Sequence, residues 1–125
     1  MTVLISNNAG SLLASGISNT DLSLTVVSGD GSKFPDTAVG GYFYLTLIEG
    51  TKIEIVKVTS RVGDVFTIQR GIDGTTAQSF SVVCRVEQRW NKAQIEDKIQ
   101  DHALPKIFSI PNNTGILSIV LWLLS

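Results

Sequence analysis

Residues 40–80 read GGYFYLTLIEGTKIEIVKVTSRVGDVFTIQRGIDGTTAQSF, and the fold turns on this stretch. Three runs, residues 42–48, 52–59 and 65–70, are filled with Tyr, Phe, Val, Ile and Thr and separated by Glu49-Gly50-Thr51 and by residues 61–64. β-Branched and aromatic runs between glycine-bearing breaks are the pattern of an antiparallel meander of hairpins. The first run is apolar at almost every position, so it is expected to be covered on both faces and to lie centrally in its sheet. In the second, Ile53 and Ile55 share one face and Val56 and Val58 the other. A β-bulge near Ile55-Val56, or burial of both faces, is expected there. The fold class is therefore mainly β, a small antiparallel β-sandwich or barrel with one short C-terminal helix and extended terminal segments.

Working outward towards the N-terminus, Leu22, Leu24 and Val26 alternate with Ser23, Thr25 and Val27, as in a half-buried strand. Gly29-Asp30-Gly31-Ser32 leads into Phe34-Pro35-Asp36, a built turn in which glycine and proline set the backbone. The loop lacks the spacing of a phosphate-binding loop and no helical pattern follows it. Residues 7–20 are rich in Asn, Ser, Gly and Ala, with Leu12, Leu13 and Ile17 among them. Residues 1–21 thus read as an arm or long loop. A structureless segment of this length is uncommon inside a compact domain, so the three apolar residues are expected to anchor the arm on a neighbouring subunit. A loop packed on its own domain is the alternative.

Towards the C-terminus, Gly71-Ile72-Asp73-Gly74-Thr75-Thr76 forms a second turn cluster, across which Arg70 is expected to pair with Asp73. Val82, Cys84, Val86 and Trp90 share strand parity, opposite Val83, Arg85, Glu87 and Arg89, and complete a β-domain over residues 22–90. At Asn91 the period changes. Asn91 suits an N-cap, Gln94 the capping-box position, and Ile95, Ile99, His102 and Ala103 recur at helical spacing. A helix is expected within residues 91–104, stopped by Pro105, with a seam narrow enough to suit a partner helix. Residues 105–125 form a tail whose run 115–124 is almost wholly apolar. A membrane span needs about 20 such residues, so no membrane insertion is expected. The run is expected to be covered by its own core or by a partner. Leu117, Leu121 and Trp122 therefore join Leu12, Leu13, Ile17, Ile95 and Ile99 as candidate interface residues.

Phe34-Pro35, then residues 41–47 (GYFYLTL), 54–59 (EIVKVT) and 70–77 (RGIDGTTA) with Phe80 follow one another in this order. The series resembles the N-terminal, particle-proximal module of tailed-bacteriophage tail fibres and of baseplate or adaptor virion proteins. It covers residues 22–90. Members of that family often carry Gly-Asp before the last strand where this chain has Val83-Cys84, so the turn there is expected to be displaced or absent. The resemblance implies a structural virion protein that anchors a tail fibre, spike or adaptor to the particle. It also implies other virion proteins as partners, a homo-oligomer with a trimer favoured, and assembly in the host cytoplasm. A capsid or collar decoration protein is a second reading.

The 125 residues carry a formal net charge of −1 and no basic stripe, so no nucleic-acid partner is expected. Cys84 is the single cysteine, which leaves no internal disulfide, and the N-terminal residues lack a signal-peptide pattern. One histidine, His102, and one cysteine do not make a zinc site. Asp30, Asp36, Asp64 and Asp73 sit beside turn residues, where aspartate bonds to the backbone. No nucleophile–base or paired-carboxylate arrangement emerges, so neither an enzyme nor a cofactor is expected. A carbohydrate-binding module, with Tyr42 or Trp90 stacking on sugars, is the alternative from another functional class.

Overall fold

The computed structural model describes residues 3–102. Among them are strands β1 (Gly10–Leu12), β2 (Ser23–Thr25), β3 (Phe43–Glu49), β4 (Lys52–Val62), β5 (Val65–Ile72) and β6 (Arg85–Glu87), followed by helix α1 (Lys92–His102). Single 3-10 turns occupy Asp30–Lys33 and Thr37–Val39. The strands form one antiparallel sheet in the order β1-β6-β3-β4-β5-β2. The sheet curls until its edges meet. Leu13 bridges Val26, Ala14 N–H donates to Thr25 O at 2.8 Å, and Val27 N–H donates to Leu12 O at 3.1 Å. Closure of this kind removes the unpaired backbone rows that make sheet edges adhesive. Both tight hairpins place glycine first in a two-residue turn, Gly50 at φ 61° and Gly63 at φ 62°, a conformation that side chains disfavour.

β3 is central, flanked by β4 and β6. Phe43, Leu45 and Leu47 point into the curl among Val56, Val58, Phe66, Ile68 and Val86, and Tyr44, Thr46 and Ile48 are buried as well. The continuous apolar run thus corresponds to a strand covered on both faces. Phe34, Phe43 and Phe66 pack ring to ring, with centroids 5.1–6.3 Å apart. The turn after β2 therefore delivers Phe34 to the core.

The arm is not an arm. β1 pairs with β6, and Ile17 exchanges backbone hydrogen bonds with Phe80 at 2.9 Å in both directions. Leu13 and Ile17 are 2% and 7% exposed within this core, so their expected role on a neighbouring subunit is corrected. The segment is ordered by long-range backbone pairing, which its Ser- and Gly-rich composition does not announce. Leu12 alone of the three keeps substantial exposure.

β4 needs no change of parity. Glu54, Val56 and Val58 face inward, Ile53 is exposed and Ile55 half-buried. The β3–β4 register runs without a break from Phe43↔Val58 to Glu49↔Lys52. The irregularity expected near Ile55-Val56 is present in the pairing with β5, between Ile55 and Lys57, and a second lies between Val58 and Ser60. An inward carboxylate, Glu54, produced the apparent shift. β6 is also shorter than its pattern suggests: Cys84 and Val86 are buried, but Val82 and Trp90 are exposed. The turn expected to be displaced or absent at Val83-Cys84 lies one position earlier, at Val82-Val83, closed by Cys84 N–H donating to Ser81 O at 3.1 Å. Neither valine takes a positive φ, so glycine is not required.

Helix α1 starts where its cap predicts, with Asn91 Oδ1 accepting from Gln94 N–H at 2.8 Å. It is fastened to its own sheet. Tyr42 and Tyr44 hydroxyls both donate to Asp97 Oδ2 at 2.6 Å, and Lys57 Nζ stands 4.2 Å from the Tyr42 ring centroid. Burial and the neighbouring Asp97 carboxylate push the Tyr44 phenol well above its ordinary pKa. Ile99 is 5% exposed and Ile95 half-buried, so the seam expected to await a partner helix is already partly covered. Asp97→Ala removes a charged acceptor from two phenols and is expected to cost about 1.5–3 kcal/mol, read from the urea midpoint. Amide exchange should accelerate at Ile95 and Ile99 and not in β3; equal loss across the sheet would contradict a local clasp. The tail, with Leu117, Leu121 and Trp122, lies outside the described residues.

Candidate functional site

Glu54, Arg70 and Gly71 converge on one buried charge. Glu54 is 0% exposed, and the Arg70 side chain beside it only 7%. Glu54 Oε2 accepts from Arg70 Nε at 2.8 Å and Gly71 N–H at 3.0 Å, while Oε1 accepts from Arg70 Nη2 at 2.8 Å and Gln78 N–H at 3.0 Å. Arg70 also donates to the carbonyls of Ser18, Asp21 and Gln78. Burial by itself would raise the Glu54 pKa, but the Arg70 bonds and the two backbone N–H groups outweigh it and hold the carboxyl below its ordinary value. Every oxygen is engaged, so the pair ties β4, β5 and two loops together and leaves no position for a substrate.

The expected Arg70–Asp73 pair does not form. Asp73 sits at φ 57° and accepts from Ala93 N–H at 3.3 Å, linking the turn to the first residues of α1. Thr75 Oγ1 accepts from Ile55 N–H at 3.0 Å and donates to Ile72 O at 2.7 Å, which fixes the same turn on β4. The clue to the true partner was Glu54 itself, a carboxylate at an inward position of β4.

A concave site lies elsewhere. A cleft of about 610 Å³ separates the N-terminal segment from the start of α1, lined among others by Ile5, Asn7, Asn8, Arg89, Trp90 and Gln94. Trp90 is 65% exposed, whereas Gln94 is 1% exposed and its Oε1 has no hydrogen-bond partner among the described residues. The wall is braced by Gln88, whose Oε1 accepts from Ser6 N–H at 2.7 Å and whose Nε2 donates to Leu4 O at 2.8 Å. Arg89 is balanced by Glu87 at 2.6 Å.

No protein-family model matches the chain, and no curated protein matches it. The site is accordingly read from geometry. Among the described residues no group of three or more His, Cys, Asp or Glu is placed to hold a metal ion, and no helix is long and apolar enough to cross a membrane. Burial pushes the Cys84 thiol up to about 11, so it stays protonated inside the core. Of the two aromatics singled out for sugar stacking, Tyr42 is half-buried and engaged with Asp97, and Trp90 presents its ring.

Sequence reasoning missed three exposed valines. Val62 and Val65, cross-strand partners at the tip of the β4–β5 hairpin, are 76% and 47% exposed. Val39, 80% exposed, stands on the 3-10 turn bonded to this region through Thr37 Oγ1, which accepts from Arg61 N–H at 2.8 Å. Val62 falls in the break at residues 61–64, Val65 opens the run that follows and Val39 lies outside every run, so only their exposure distinguishes them.

Proposed function

We propose that the chain is a structural virion protein of a tailed bacteriophage, anchoring a tail fibre, spike or adaptor to the particle through protein–protein contacts and without catalysis or a cofactor. The observation that carries the reading is the Glu54–Arg70 network. Three of the residues on which the resemblance rests, Glu54, Arg70 and Gly71, lock the turn cluster to the sheet, so this part of the likeness concerns determinants of the fold.

The anchoring mechanism is geometric. A curled sheet with stitched edges gives a rigid body that binds through side-chain surfaces and not by strand addition. Val39, Val62 and Val65 supply one apolar surface, and the run 115–124 supplies apolar sequence for another. A homo-oligomer closes such surfaces around a symmetry axis. The number three comes from the resemblance. Capsid or collar decoration employs the same kinds of contact, and the chain's location in the particle separates the two.

Light scattering on the full chain is expected to give a trimer, and a chain ending at Pro105 a smaller species. A monodisperse full-length monomer would overturn self-assembly. The virion assignment itself is tested by locating the chain in purified particles.

A further inference from the structure

We propose that the cleft beside Trp90 binds an uncharged saccharide, one hexose ring lying against the indole with its hydroxyls reaching Gln94 and the Asn7 and Asn8 amides. This goes beyond the anchoring role and does not depend on it.

Two independent observations point to a ligand. Trp90 is 65% exposed at the cleft wall and stacks on no other ring among the described residues. Gln94, also in the lining, is 1% exposed, yet its Oε1 lacks a hydrogen-bond donor. A buried acceptor left unpaired is costly, and a ligand hydroxyl would return the missing bond. The space of about 610 Å³ falls within the range of small-molecule sites.

The lining selects the chemistry. Among the described residues no carboxylate lines the cleft, so they offer none of the carboxylate ligands that favour a divalent cation. The single guanidinium among the described lining residues, Arg89, is already paired with Glu87, so these residues do not favour an anion. Among the described residues Ile5 and Trp90 are its only apolar side chains, too few to enclose a hydrophobic anchor. What remains is one flat apolar face beside side-chain amides that both donate and accept. A pyranose matches this, with an apolar C–H face and a rim of hydroxyls that also donate and accept. The indole forms a one-sided platform, as an open ring-stacking site requires, and the braced Gln88 holds the two walls in register.

The test is a titration of the full chain, followed by amide and indole NMR, with the methyl glycosides of glucose, galactose, mannose and N-acetylglucosamine, and with adenosine as a flat non-sugar control. At least one glycoside is expected to shift the Trp90 indole N–H and the Gln94 side-chain amide saturably, with a Kd of about 1 mM, as befits a single ring. Trp90→Ala should abolish the shift, and Gln94→Leu should weaken binding about tenfold, the loss of one buried hydrogen bond. Trp90 is too exposed for its replacement to unfold the domain, and dispersed spectra verify this for both variants. The proposal is overturned if no glycoside moves these signals, if binding survives Trp90→Ala, or if adenosine alone binds. It is equally overturned if the free protein shows contacts from the 115–124 methyl groups to the Trp90 ring, which would mean that the chain fills its own cleft.

Discussion

A Leu45→Asp variant is expected to give no soluble folded protein. Leu45 is 0% exposed, stands opposite Val56 in the register and belongs to the strand on which both β4 and β6 pair. An unpaired carboxylate in that position costs several kcal/mol, or forces protonation at comparable cost. Small domains are stable by only about 5–15 kcal/mol in total. Leu45→Ala is the control: it removes volume without adding charge, should cost about 2–5 kcal/mol, and should remain folded in the cold. Soluble yield and near-ultraviolet circular dichroism read the outcome. A well-folded Leu45→Asp protein would contradict the central placement of β3.

The second large effect belongs to the buried ion pair. Arg70→Met leaves Glu54 charged and enclosed, and is expected to cost about 3–5 kcal/mol. Replacing both, Glu54→Met with Arg70→Met, should recover much of that loss, because an apolar pair carries no desolvation penalty. The two substitutions therefore couple strongly in urea midpoints. Acidity distinguishes the variants further. The native Glu54 pKa lies below its ordinary value of 4.5, so its contribution is fully present above that value and disappears as the pH falls through the folded pKa. In Arg70→Met only burial and two backbone N–H groups act on the carboxyl. If burial then outweighs the two backbone N–H groups, the folded pKa rises above the ordinary value and mild acid should stabilise that variant. The double variant should lack both responses. Additive losses, with no coupling, would contradict the account of Glu54 and Arg70 as one unit.

The parts of this fold that were legible in the sequence are those specified locally. Glycine turns between β-branched runs gave the β3–β4–β5 meander, and Asn91 followed by isoleucines at helical spacing gave α1. The rest depends on residues far apart in the chain. β1 has three residues, and its pairing with β6 leaves no periodic trace, so a closing strand read as a loose arm. Glu54 and Arg70 are sixteen positions apart, which made Asp73 the nearer partner on paper. A carboxylate at an inward position read as a break in parity because charge is assigned to the solvent face by default. The cleft joins residues 5–8 to residues 88–94, and nothing local in either segment shows that Gln94 is enclosed. Exposure of Val62 and Val65 likewise follows from where the hairpin ends, not from their pattern.

The most direct test of the anchoring role is a density map of intact particles of a phage that encodes this chain. The account predicts ordered density for the curled six-stranded domain at symmetry-related positions where a fibre, spike or adaptor meets the particle. Neighbouring proteins should cover Val39, Val62 and Val65. Complete particles, with fibres attached and the chain absent from them, would contradict it.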